Sequence, residues 1–517
     1  MRVGTGVDKL IFDDGHGLFG FGPNGGIGVN TPVGSNDHDT LQARALYIEE
    51  GTQRLLVVGF DLASGSRIIH QALLEGLAKV GHRFSPGELC VVGTHSHSAP
   101  GHYFGNLYDV FGQKPALYRE VVASEIVRRG LKAARRALDA PVECKAAVAR
   151  RVLWGAGRNR SLRSFVNNFE GDVGRWRATL GIEVPPGLSP EEQAVDPHLD
   201  VVAFFAKDGG RPLATWATWC CHAASSPPQP LRPYHRDWPG VAVDLLEKEA
   251  QVVPFAMIHQ RANGDVTALP SGELRNAQPM VRVRQLGERV GAAWRAALEE
   301  ASDRAREGAT NTPFEVGALV FDPERHGLPR FEIGQSVIAG SEEADPGLLV
   351  KTFGEARRFP WRSSPHRPKL PALGPLQSLL RRHASLRPSP EHPLWIIRFG
   401  SHLVFASPFE QTTFAAWTTA RAITNAWRAA RGEDVTSSPL GLAGDYAGYV
   451  TTSLEYDLQE YEGGHTIYGR DQREALERLW TSMIRSGPLD ATKARFERRD
   501  PTFEERVRRL VDVLPLA

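Results

Sequence analysis

The sequence predicts a mixed α/β (α+β) fold: one large domain over residues 1–480, with mixed sheets and surrounding helices. Three observations carry this. An apolar run at 55–60, an amphipathic stretch at 67–80 and a second apolar run at 89–92 follow one another, in the order of a strand–helix–strand unit. Further apolar runs recur at 201–206, 212–218, 254–258, 394–400 and 402–406, bounded by turn formers. Long amphipathic stretches at 116–138 and 282–307 supply covering helices.

In chain order, residues 1–50 are glycine-rich and read as loop around short strands, with 40–48 alternating like one. Ser66 can cap the 67–80 helix and Gly81 can end it. The 116–138 helix turns Val122, Ile126 and Leu131 inward and its arginines to water. The runs at 201–206 and 212–218 pair through Lys207-Asp208-Gly209-Gly210. Residues 355–393 are rich in proline, arginine and lysine and read as a basic insertion or lid, with room for a short helix at 376–383. The hairpin at 394–406 leads to a helix from Thr412, and residues 481–517 read as a charged helical tail. No internal repeat is visible.

Composition narrows the function. Hydrophobic residues make 41% and charged residues 23% of 517, and the formal net charge is +1. Nothing in that balance calls for nucleic acid as a partner. No run of 18 apolar residues is present, so no spanning helix is expected, while peripheral membrane contact stays open. The N-terminus lacks an apolar signal core, which predicts a cytoplasmic protein. Cys90, Cys144, Cys220 and Cys221 are expected to be reduced. Oligomeric state is not legible.

The chemistry gathers at strand ends. Gly93-Thr94-His95-Ser96-His97-Ser98-Ala99-Pro100-Gly101-His102 follows the 89–92 run. On extended backbone His95 and His97 share a face, and neutral imidazoles are the commonest zinc ligands. A second strand end delivers Trp219-Cys220-Cys221-His222, and a third Arg261-Ala262-Asn263-Gly264-Asp265-Val266-Thr267.

Together with Arg158-Asn159-Arg160-Ser161, Asp237-Trp238-Pro239-Gly240, Pro408-Phe409-Glu410-Gln411-Thr412-Thr413 and the tyrosine-rich block from Tyr446 to Gly463, these segments resemble, in content and order, the catalytic domain of the neutral (neutral/alkaline, non-lysosomal) ceramidase family. Ile338-Ala339-Gly340 echoes a further family segment weakly. The resemblance implies a zinc-dependent amidohydrolase cleaving the N-acyl bond of ceramide or a ceramide-like lipid, with one Zn2+ per chain. By position the zinc ligands would be His95, His222, Glu410 and Tyr449. The catalytic groups would be Thr267, His97, Arg160 and Tyr461, and Asn263 and Asp265 would bind substrate. His102 carries no implied role. Two departures stand out. Thr267 replaces the family's serine, and the family's C-terminal β-sandwich domain is not expected here. They keep two other readings in view: hydrolysis or cyclisation of a different acyl amide or thioester, and non-catalytic lipid binding.

Overall fold

The computed structural model describes all residues except 14, 21–39, 112–117, 208–210, 226–233, 250, 270–277, 307–311, 342–357, 360–362, 373, 375–376, 378–385, 499 and 514–517. Its architecture is a six-element pattern used three times. The first unit is β1 (Arg2–Lys9), β2 (Gln42–Glu50), β3 (Gln53–Phe60), a helix (Arg67–Lys79), β4 (Leu89–Gly93) and a helix (Glu120–Asp139). The second is β5 (Val142–Val152), then, after short β6 (Arg158–Asn159), β7 (His198–Ala206), β8 (Pro212–Trp219), a helix (Asp237–Asp244), β9 (Ala256–Gln260) and, past short β10 (Val266–Thr267), a helix (Pro279–Arg306). The third is β11 (Phe314–Phe321), β12 (His392–Phe399), β13 (His402–Ala406), a helix beyond short β14 (Glu410–Gln411), Thr413–Arg431, β15 (Thr436–Leu440) and, past short β16 (Tyr449–Val450), a helix (Gln472–Arg485). In each unit the first three strands form an antiparallel meander, and the fourth runs parallel to the third across its helix.

Units one and two fuse through antiparallel β1 and β5 into an eight-stranded sheet, in the order β4-β3-β2-β1-β5-β7-β8-β9. The third unit makes a four-stranded sheet. Side chains alternate as the pleat requires. Ala43, Ala45, Leu56 and Val58 face the first unit's helices, while Leu46, Ile48, Leu55 and Val57 face Trp395, Ile397 and Val404 of the third sheet. Layers therefore stack as helix, sheet, sheet, helix, with one core between the sheets and others between each sheet and its covering helices.

The sequence hides this repetition because the strands that begin the units are atypical. β1 is the central strand, yet its sequence is Arg-Val-Gly-Thr-Gly-Val-Asp-Lys. Its glycines are there for close approach: a Cβ on Gly4 would lie 1.9 Å from Ala137 O, and one on Gly6 2.0 Å from Ala133 O, both in the covering helix. β5, β11 and β15 were likewise not expected. The predicted boundary at 480 falls inside the Gln472–Arg485 helix. The tail is part of the core, since helix Pro501–Asp512 buries Val507, Leu510 and Val511 against the first unit. Part of the described 355–393 stretch is also built in, while Phe359 stays 48% exposed. Lys369 is fully buried, and its Nζ donates to Glu332 O and Thr466 O at 3.0 and 2.8 Å. The helix expected at 376–383 lies outside the described residues, apart from Gln377. All four cysteines are buried and unbridged. No described helix is long and apolar enough to cross a membrane.

The eight-stranded sheet curls until its two edges meet. Gln260 Nε2, at the end of β9, donates to Thr94 O, just past β4, at 2.9 Å. Gly59 on β3 permits this: a Cβ there would stand 2.5 Å from His259 Nε2. Gly59→Ala is expected to lower stability by ~1–3 kcal/mol through overpacking, read as a lower Tm; an unchanged Tm contradicts this account of the closure.

Candidate metal centre and its surroundings

Because the sheet edges meet, loops from all three units interlock at one point. His95 N donates to Leu62 O, His97 N to Ala223 O, His222 N to Val266 O, Gly264 N to Gln411 O and Glu410 N to Gly448 O. β14 and β16 pair Glu410 with Tyr449, and β10 and β6 pair Thr267 with Arg158. His95 has φ +71°, a left-handed conformation that non-glycine residues adopt at a cost and that here turns its ring into the centre.

Each of the three imidazoles places its Nδ1 on a backbone carbonyl: His95 on Ala63 O at 2.8 Å, His97 on Phe19 O at 3.1 Å and His222 on Val266 O at 2.9 Å. A carbonyl only accepts, so each Nδ1 carries the proton and each Nε2 presents a lone pair. Those lone pairs converge. His95 Nε2 is 3.2 Å from His97 Nε2 and 3.3 Å from Glu410 Oε2, and His222 Nε2 is 3.0 Å from the same oxygen. Burial holds the His97 and His222 imidazoles neutral by lowering their pKa.

Acceptors facing acceptors at 3.0–3.3 Å repel one another unless a cation lies among them. The spacings match the donor–donor edge, ~3.3 Å, of a tetrahedral site with Zn–N bonds of ~2.0–2.1 Å. His95, His97 and His222 form the described cluster able to hold a metal ion. The residues thus fit a metal.

Around this centre Tyr446, which the sequence reading passed over, donates its hydroxyl to Glu410 Oε1 at 2.6 Å. Asn263 Nδ2 donates to Glu410 Oε2 at 3.2 Å. Arg160 Nη2 donates to the Tyr449 hydroxyl at 3.1 Å and to Gly264 O at 2.8 Å, and its Nε donates to Glu462 at 3.1 Å. The Arg160 guanidinium lies 5.4 Å from the Tyr461 ring centre. His97, Arg160, His222, Glu410, Tyr449 and Tyr461 all line one small cavity with room for about 30 Å³ of water-sized occupant, enough for one water. His465 completes its wall, 5.1 Å from Tyr449 ring to ring, with its pKa lowered to about 3 by burial.

Three predicted site residues take other positions. Thr267 is fully buried behind the cavity, and its hydroxyl accepts from Leu269 N at 3.1 Å. That bond and its place in the β10–β6 pair commit it to backbone structure, so it is not placed as a nucleophile. Asp265 is not a substrate contact. Its Oδ1 accepts from Thr413 N and Oγ1, both at 2.8 Å, and its Oδ2 from Asn159 at 2.7 Å. Asn263 supports Glu410 rather than opening to a substrate. His102 is buried outside the cavity lining.

The paired threonines Thr412 and Thr413 have a physical reason. Thr413 serves Asp265, and Thr412 donates to Glu455 Oε2 at 2.6 Å. Burial raises the two carboxyls to about 6 and about 8 respectively. Hydroxyls and amides satisfy them without a cation.

The fold and these side chains define a class: a mixed α/β domain whose strand ends assemble a buried histidine–carboxylate centre fit for a metal ion. The model of neutral/alkaline non-lysosomal ceramidase, N-terminal, matches residues 30–278 and 341–478, more than half of the chain, and the chain belongs to that family. A neutral ceramidase of Pseudomonas aeruginosa is 26% identical over 525 residues, spanning 90% of this chain and 71% of its own length. One of Mycobacterium tuberculosis is 24% identical over 484 residues, spanning 87% and 72%. The solved structure of a ceramidase complexed with C2 superposes with a TM-score of 0.73 at 22% identity, over 96% of this chain and 77% of that one. It shows the same fold.

Glu455 predicts a pH signature. Its folded pKa is raised, so its stabilising contribution is complete below the unfolded value, ~4.3, and is lost as pH rises through about 8. The Tm of the wild type should fall across that window, and Glu455→Gln, uncharged throughout, should flatten that part of the profile. Parallel Tm–pH profiles for the two proteins contradict the assignment.

Proposed function

We propose that the protein is a zinc-dependent hydrolase of N-acyl amides, with ceramide or a ceramide-like lipid as substrate. The observation that carries this reading is the gathering of Nε2 lone pairs, those of His95 and His222 on the Glu410 carboxylate and that of His97 on His95, an arrangement suited to a cation. Membership of the ceramidase family and similarity to neutral ceramidases support the substrate class.

His95, His222, Glu410 and Tyr449 would hold the ion, and the nitrogen-rich donor set favours zinc. Zinc bound there supplies Lewis acidity, polarising the amide carbonyl and acidifying water. The residues supply the rest. Neutral His97, fixed by its Nδ1–H bond to Phe19 O, presents Nε2 to the cavity. As water adds to the amide carbon, Nε2 takes its proton. As the C–N bond breaks, the same nitrogen returns the proton to the departing amine. Arg160 and Tyr461, both in the cavity wall, would donate to a developing oxyanion, and Glu462 orients Arg160. Tyr446 and Asn263 occupy Glu410 from behind, fixing which oxygen faces the histidines.

Purified protein should contain about one zinc per chain and release fatty acid from short-chain labelled ceramide. His95→Ala should lose the metal together with activity. His97→Ala should keep the metal while kcat falls ~10²–10⁴-fold; loss of metal in that variant would make His97 a metal ligand instead of the acid. Thr267→Ser should leave turnover unchanged. A fully zinc-loaded protein that releases no fatty acid would overturn the ceramide assignment and leave another acyl amide as substrate; one that takes up no metal would overturn the zinc reading itself.

A further inference from the structure

A second cavity of about 290 Å³ lies apart from the metal centre, with none of its lining residues in common with it. The first residues of two helices, Arg67–Lys79 and Pro501–Asp512, meet in its wall, where helix dipoles favour negative charge. Its acidic side chains are already engaged or face solvent. Asp322 accepts from Arg498 Nε at 2.8 Å, and Glu391 from the backbone amides of Glu497 and Arg498 at 3.0 Å each. Asp500 caps its own helix by accepting from Thr502 N at 2.9 Å, and Glu324 is exposed.

Arg67 is different. It is only 8% exposed, yet among the described residues no carboxylate comes within ion-pairing distance of its guanidinium, Asp445 binding its backbone amide instead. Its guanidinium lies 3.3 Å from the centre of the Phe496 ring and 5.1 Å from that of Phe503, and Nη1 donates to Gln71 at 3.3 Å. Burial lowers its pKa to about 10, against weaker support from Asp445, Glu391 and Glu75. A buried cation without a paired anion is costly, and one that lines a cavity is a site for an anionic ligand. The surrounding wall is fixed in place. Tyr468 contacts His392 Nε2 through its hydroxyl at 2.9 Å, His392 lies 3.5 Å from Asp445, and Asp445 accepts from Arg67 N at 3.2 Å. Phe104, Phe331 and Phe503 supply apolar surface.

We propose that this cavity binds a small organic oxyanion, a carboxylate or phosphate on an apolar body, with Arg67 pairing to the anion and the phenylalanines enclosing the body. Its volume sits just under the ~300–1,000 Å³ of drug-sized sites, which sets the ligand's size. Phosphate and carboxylate share the planar two-oxygen face that a guanidinium recognises.

The test titrates the full-length, zinc-supplemented protein with phenyl phosphate and, separately, with benzoate by calorimetry. Saturable binding of at least one probe at one site per chain is expected, and the tighter of the two identifies the head group. Arg67→Met, which keeps the stacking volume and removes the charge, should weaken binding at least ~10-fold. Ser389→Trp, filling the cavity from a half-buried position, should abolish it and serves if Arg67→Met fails to fold. His95→Ala should bind the probes as the wild type does. No saturation by either probe up to ~10 mM, retained affinity in the Arg67 or Ser389 variant, or loss of binding in His95→Ala would each overturn the proposal.

Discussion

Four electron-pair donors pressed together in a dry interior are the constraint on which the rest of this structure depends. Nε2 of His95, His97 and His222 and one oxygen of Glu410 lie within 3.0–3.3 Å of a neighbour in the group. Each imidazole has its Nδ1 proton committed to a carbonyl, so tautomer exchange cannot relieve the crowding. A cation among them would relieve that crowding. With one, the same spacing is a ready coordination polyhedron, and the binding energy of the ion adds to the stability of the folded state.

Bringing those donors together is the task of the whole fold. Each unit ends a strand at the centre: β4 delivers His95 and His97, β8 delivers His222, and β13 delivers Glu410. β4 and β8 belong to opposite halves of an eight-stranded sheet, and a flat sheet would hold their ends far apart. The curl that joins β4 to β9 removes that distance. The third sheet then packs across the curled one and adds its own strand end. Three copies of one topology thus supply one ligand set, and the loops are locked to each other by backbone hydrogen bonds rather than by side chains alone.

Much of this was legible in the sequence, and the failures have physical causes. Apolar runs such as 55–60, 201–206 and 394–400 read correctly as strands because both faces are buried. The amphipathic helices read correctly for the same reason of periodicity. β1 did not, since glycines placed for helix packing look like loop glycines. β5, Val-Glu-Cys-Lys-Ala-Ala-Val-Ala-Arg-Arg-Val, mixes alanine with charge and carries little strand signal. The threefold repetition is one of hydrogen-bond topology and left no shared residues to find. At the site, the strand ends pointed to the histidines, and the family resemblance supplied Glu410. The sequence could not tell which tyrosine of Tyr446, Tyr449 and Tyr461 touches Glu410, because that depends on the turn between β15 and β16. Nor could it show that Asp265 serves two buried threonine groups, or that the Thr267 hydroxyl is consumed by its own loop.

The most direct test of the central claim is X-ray absorption at the zinc edge on the metal-loaded protein. The account predicts one zinc per chain, with two or three imidazole nitrogens at ~2.0–2.1 Å and the remaining positions filled by oxygen. A zinc bound without imidazoles, or a protein that binds none at all, would contradict it.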